Sequence, residues 1–213
     1  MKLKKSVKKK VDFLVIAVVV LIVVAIGFFV YKRFFVSEGT PTNVKVIDKI
    51  EDYGYELEED ATDLYKGLYE ELRTLLQQEE YDEKEYASLI SRLLVTDFYN
   101  LDNKISKNDI GGVQFIRSEQ QKNFILEASE TVYKYIEHNV YGNRTQELPI
   151  VKDVETLDVK ETTYKYKDIN EEEAYKVTVN VSYEKKLNYP TEVTVVLIHD
   201  DEMSKKLEVI KMY

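Results

Sequence analysis

AYKVTVNVSY, residues 174–183, decides the fold class. Tyr175, Val177, Val179, Val181 and Tyr183 alternate with Lys176, Thr178, Asn180 and Ser182, a two-residue period that predicts a strand with one buried face. Around it, VETLDVKETTYKYK (154–167), TEVTVVLIHD (191–200) and KLEVIKMY (206–213) read as three more strands. The connectors DINEEE, EKKLNYP and DDEMSK are short and polar. Four such strands in succession most simply form an antiparallel meander.

Upstream of residue 140 the apolar residues recur at three- and four-residue spacing instead. In VKVIDKIEDYGYELEEDATDLYKGLYEELRTLLQQ (44–78), Ile47, Ile50, Gly54, Leu57, Ala61, Leu64, Leu68 and Leu75 predict one stripe of a long helix. Gly54 and Glu71 fall on that seam and weaken a coiled coil. The stripe either packs on its own domain or supports self-association. Ile50, Leu57, Leu64 and Leu68, with Tyr65 and Tyr69 one turn apart, are therefore the candidate interface residues. A second helix is expected in DEKEYASLISRLLVTDFYNLDNKI (82–105), opened by an Asp82–Glu85 capping box, with Tyr86, Leu89, Ile90, Leu93, Leu94 and Phe98 inward. A third is expected in SEQQKNFILEASETVYKYIEHN (118–139), opened by Ser118 with Gln121. Its buried stripe would be Phe124, Ile125, Ala128, Val132, Tyr135 and Ile136, and Gly142 would end it. Three helices followed by a meander is α+β, with the helices on one face of a curved sheet.

Between the second and third helices lies KISKNDIGGVQFI (104–116). A phosphate-binding loop needs G-x-x-x-x-G-K-[ST] after a strand, and this stretch has neither. Gly111 and Gly112 instead suit a reversing connection in which backbones approach closely, with Val113, Phe115 and Ile116 tucked inward.

The chain has 213 residues, a net charge of −9 and no cysteine. The missing cysteine excludes disulfide frameworks, thiolate metal sites, cysteine nucleophiles and lipobox anchors. The charge is unevenly placed. Eight of the 30 basic residues and one acid lie in residues 1–33, which leaves 22 basic and 38 acidic residues, a net of −16, beyond them. So acidic a surface repels nucleic-acid backbones, and no direct nucleic-acid binding by this part is expected.

Phe13 to Tyr31 is nineteen residues without a charge. At about 1.5 Å rise per residue a helix of that length spans about 28 Å, near the thickness of a bilayer's hydrocarbon. GFFVYKRFFV follows it with no small-residue cleavage site, so an uncleaved anchor is expected. Six lysines precede the span, which places the N-terminus in the cytoplasm by the positive-inside rule. The division is then a basic cytoplasmic tail (1–12), a transmembrane helix (13–31), a linker (32–43) and an extracytoplasmic α+β domain (44–213).

Chemistry is sparsely signalled. His138 closes the third expected helix, and His199 ends a strand beside Asp200 and Asp201, with no nucleophile apparent near either. Glu58-Glu59-Asp60 and Glu171-Glu172-Glu173 lack the spacing of a calcium loop and read as solvated faces. No catalytic residue, metal or cofactor is expected. Seventeen tyrosines beside no tryptophan suit either ordinary packing with wet hydroxyls or a subunit contact surface.

A basic tail, one span, three helices and a four-stranded meander together resemble the cone-shaped fold named after nuclear transport factor two. Among single-span proteins of that fold, the chain resembles the VirB-eight family of type IV secretion and conjugation subunits, whose Gram-positive relatives are often cysteine-free. The resemblance rests on element order and topology. It implies a non-enzymatic scaffold that forms a homo-oligomer, contacts other channel subunits outside the membrane and is held there by Phe13–Tyr31. A membrane-anchored envelope interaction module, or a small-ligand-binding module of the same fold, is the alternative.

Overall fold

A computed structural model describes residues 44–166, 169–200 and 205–213, with residues 166 and 169–172 described by backbone alone. The expected tail, membrane span and linker lie outside the described residues, as does most of DDEMSK. Among the described residues, no helix is long and apolar enough to cross a membrane.

The elements run β1 (Val46–Ile50), β2 (Tyr55–Glu58), α1 (Asp63–Leu76), α2 (Glu83–Tyr99), α3 (Gln121–Glu130), β3 (Val151–Tyr166), β4 (Ile169–Tyr183), β5 (Glu192–His199) and β6 (Leu207–Met212). This is α+β. Strands β3 to β6 form one antiparallel sheet in sequential order, the expected meander. In β4, Val177, Val179 and Val181 are buried, with Tyr175 beside them, so the two-residue period reads the inward face correctly.

Helix α2 lies at the centre. Asp82 caps it by accepting the Lys84 N–H at 2.8 Å, and the inward face read from the sequence is buried throughout. Ala87, Ser91, Val95, Thr96 and Tyr99 are buried too, so the helix is covered nearly all round, as a central helix must be. It packs on β3, β4 and β5 on one side and on α1 on another. Arg92 Nε donates to the Val154 carbonyl at 2.9 Å and Asn100 Oδ1 accepts the Val151 N–H at 2.9 Å, which fixes the first turn of β3 against the helix.

The first long helix is not one helix. Residues 46–58 form a two-stranded antiparallel hairpin, and α1 begins only at Asp63, capped by the Thr62 hydroxyl on the Tyr65 N–H at 3.2 Å. Gly54 has φ of 73°, which a helix interior cannot use. Tyr53, Tyr55 and Leu57 are buried in alternation. That local period of two was hidden under residues seven apart that a hairpin followed by a helix also turns inward.

The third helix is shorter than expected. It ends at Glu130, and the Tyr133 N–H reaches back five residues to the Ala128 carbonyl at 3.0 Å. This over-wide turn rotates the stripe. Tyr133 is fully buried, Ala128 and Ile136 stay inside, but Ile125 and Tyr135 are exposed. No side chain caps the start, so the Ser118–Gln121 capping box does not form; Gln121 instead donates to the Val113 and Ile116 carbonyls. Gly142 adopts φ of 67° in a later turn, not at a helix end.

The paired glycines are a close approach. A Cβ on Gly111 would collide with the Asp97 carbonyl group, and one on Gly112, where φ is 76°, would collide with the Leu94 side chain. Phe115 and Ile116 tuck inward as expected.

Candidate partner-binding groove

The six candidate interface residues sit in or against the core. Leu57, Tyr65, Leu68 and Tyr69 are buried, and Ile50 and Leu64 are half-buried against the same cluster. They hold the hairpin and α1 to α2, so none presents an open face to a partner. The Tyr69 hydroxyl donates to the Tyr55 carbonyl at 3.0 Å, and Tyr65 accepts from Gln114 Nε2 at 2.8 Å. Burial pushes the Tyr65 phenol well up from its ordinary value. Tyr53, Tyr55, Tyr65, Tyr69, Tyr86 and Tyr133 are thus cross-braces: their rings fill the core while their hydroxyls meet backbone and side-chain groups.

The histidines do not converge. His138 is exposed in irregular chain eight residues past the end of α3, so it meets no helix dipole. His199, at the end of β5, faces Glu83 at the start of α2, with Nε2 to Oε2 at 3.6 Å. The nearby Glu83 carboxylate raises the imidazole above its ordinary value, against an opposing pull from burial. A carboxylate facing His199 is thus that of Glu83, far away in sequence. Among the described residues no group of three or more acidic or histidine side chains could hold a metal.

What the sequence did not signal is a half-open groove of about 450 Å³ between α3 and β6. Phe98, Tyr99, Ile116, Phe124, Val132 and Met212 supply its apolar lining, and Gln120, Asn123, Glu127 and Lys211 are among its polar lining residues. Phe124 on α3 and Val132 just past its end are both half-buried there.

One wall is backbone. β6 is an edge of the sheet, and its first half is covered by chain: Ile116 bridges Val209 in parallel, and the Arg117 N–H donates to the Val209 carbonyl at 3.0 Å. Past that point the covering chain leaves to form α3. Thr194 and Tyr213 exchange both backbone hydrogen bonds, at 2.8 and 3.0 Å. In an antiparallel ladder the adjacent residue then points its N–H and C=O away from the partner strand. That residue is Met212, on the groove. Comparison with protein-family models, curated proteins and solved structures finds no match to the chain.

Proposed function

We propose that the chain is a membrane-tethered, non-enzymatic scaffold subunit resembling the VirB-eight type, acting in a type IV secretion channel through protein contacts made outside the membrane by a cone-shaped domain. The observation that carries this reading is a combination within one chain. A lysine-flanked apolar run of nineteen residues precedes an acidic α+β domain whose three helices are followed by a four-stranded meander. The α3–β6 groove is the contact site this reading favours over the first-helix stripe. An extended segment of a channel partner would extend the sheet edge at Met212 and seat an apolar side chain among Phe98, Phe124 and Val132.

Crosslinking the tagged full-length chain in its membrane, with partners identified by mass spectrometry, tests it. Recovery of the chain itself with a secretion ATPase or a polytopic channel protein is expected. Recovery of cell-wall or division proteins alone would move the assignment to an envelope interaction module.

A second reading has one observation in its favour. The groove's volume of about 450 Å³ falls within the range of small-ligand pockets. Under this reading a small amphipathic molecule occupies it, and the Phe124→Arg chain would lose a thermal shift produced by that ligand without losing crosslinked partners.

A further inference from the structure

Between α3 and β3 the chain runs through residues 131–150 without a regular helix or strand, yet it is fastened along its length. Gln146 binds in both directions: its Oε1 accepts the Glu137 N–H at 2.9 Å and its Nε2 donates to the Tyr135 carbonyl at 2.8 Å. The Arg144 guanidinium donates to the carbonyls of Lys104 and Glu137, at 2.7 and 3.2 Å, and to that of Asp102. The Asn139 N–H donates to the Ile105 carbonyl at 2.8 Å, while its Oδ1 accepts the Arg144 N–H at 3.0 Å. Three successive anchors, at Asp102, Lys104 and Ile105, thus tie this loop to the chain that follows α2. Its base is held in one shape.

The tip is a turn closed by the Gly142 N–H on the Asn139 carbonyl at 3.0 Å, which puts Val140 and Tyr141 at the two corner positions. Turn corners ordinarily hold Gly, Pro, Asn, Asp or Ser, each for a local backbone reason. Val and Tyr have no such reason, and neither serves the core: Val140 is 67% exposed and Tyr141 90%. Serine at either position would fold as well. A tyrosine on a fastened loop is, by contrast, a good contact residue. It offers a large amphipathic surface and loses little conformational freedom on binding.

The charge of the domain selects what meets that surface. Beyond residue 33 the chain carries a net of −16, which repels an anionic lipid surface and a second copy of itself, and attracts a basic partner. We infer that the Val140–Tyr141 turn is a second docking point, built from residues other than those of the α3–β6 groove, for a basic protein whose apolar cleft receives the Tyr141 ring. The contact is independent of the groove and of the secretion reading.

The test places a photocrosslinking phenylalanine analogue at position 141 of the full-length chain and irradiates its membranes. One defined protein of basic character should be captured, equally in the Phe124→Arg chain, with a yield that falls several-fold between about 0.1 M and about 1 M salt. Adducts with lipid or with a second copy, an adduct lost with Phe124→Arg or indifferent to salt, or no adduct at all would overturn the docking point. The captured protein, once purified, should bind the Tyr141→Ser chain at least about tenfold more weakly than the parent, and equal binding overturns the assignment. Tyr141→Ser should leave the melting midpoint within about one degree of the parent, because the side chain is exposed. A larger fall would make the residue structural and overturn the assignment too.

Discussion

Asp97 holds Lys104 and Gly112 at once: one carboxylate oxygen accepts the Lys104 ammonium at 2.6 Å and the other accepts the Gly112 N–H at 2.6 Å. One side chain on the last turns of α2 therefore positions the loop that opens on KISKNDIGG. The Lys104 side chain is only 9% exposed. Burial pulls its ammonium down, but Asp97, helped by Asp109 and Asp60, more than offsets this and lifts it above its ordinary value. Replacing Asp97 with alanine strands a buried cation and frees a loop N–H. The expected cost is about 3–5 kcal/mol, read as a lowered urea midpoint, with Lys104→Met giving back part of it in the double variant.

Gly112→Ala should be nearly as damaging. The new methyl group meets Leu94 and the residue must keep a left-handed φ. A cost of about 2–4 kcal/mol is expected from the combined clash and strain, measured by denaturation of the purified chain. Gly67, on the exposed face of α1 with no neighbour within 4 Å of a built Cβ, serves as the control. There alanine should stabilise by about 0.5–1 kcal/mol.

Tyr133→Phe probes the bracing directly. Its hydroxyl donates to the Phe98 carbonyl at 2.7 Å and accepts the Gly111 N–H at 3.1 Å, both buried. Removing it orphans a carbonyl and an N–H, and a loss of about 1–3 kcal/mol is expected in chemical denaturation.

His199, facing Glu83, supplies a pH signature. Its folded-state value is raised by Glu83, so the stability it adds is present below about pH 6.5 and disappears as pH rises through the higher folded value. Glu83→Gln should flatten that part of the profile. A melting curve against pH in which Glu83→Gln and the parent chain run parallel would remove the pair from the account.

How much of this was legible can be followed residue by residue. The meander was readable because Val177, Val179 and Val181 alternate without interruption and the connectors are polar. Helix α2 was readable because its cap and apolar face agree. The β1–β2 hairpin was not, because Ile50, Leu57 and Leu64 lie seven apart and satisfy a heptad as well as a strand–turn–helix. Only Gly54 between two buried tyrosines marked the turn. The groove was out of reach for a related reason. The spacing turns Phe124 and Val132 inward, but nothing in it says that the helix stops at Glu130 or that both stay half covered. Leu68→Glu should unfold the domain, since the side chain is 2% exposed.

The central claim is that the α3–β6 groove receives a channel partner. Asn123 lines that groove and is itself exposed, so a photocrosslinking amino acid can stand there without disturbing the core. The decisive measurement is irradiation of membranes carrying the full-length chain labelled at that position, followed by mass spectrometry of the adducts. The account predicts adducts with a secretion-channel subunit that disappear when Phe124 is changed to arginine. Adducts confined to cell-wall or division proteins, or adducts unaffected by Phe124→Arg, would contradict it.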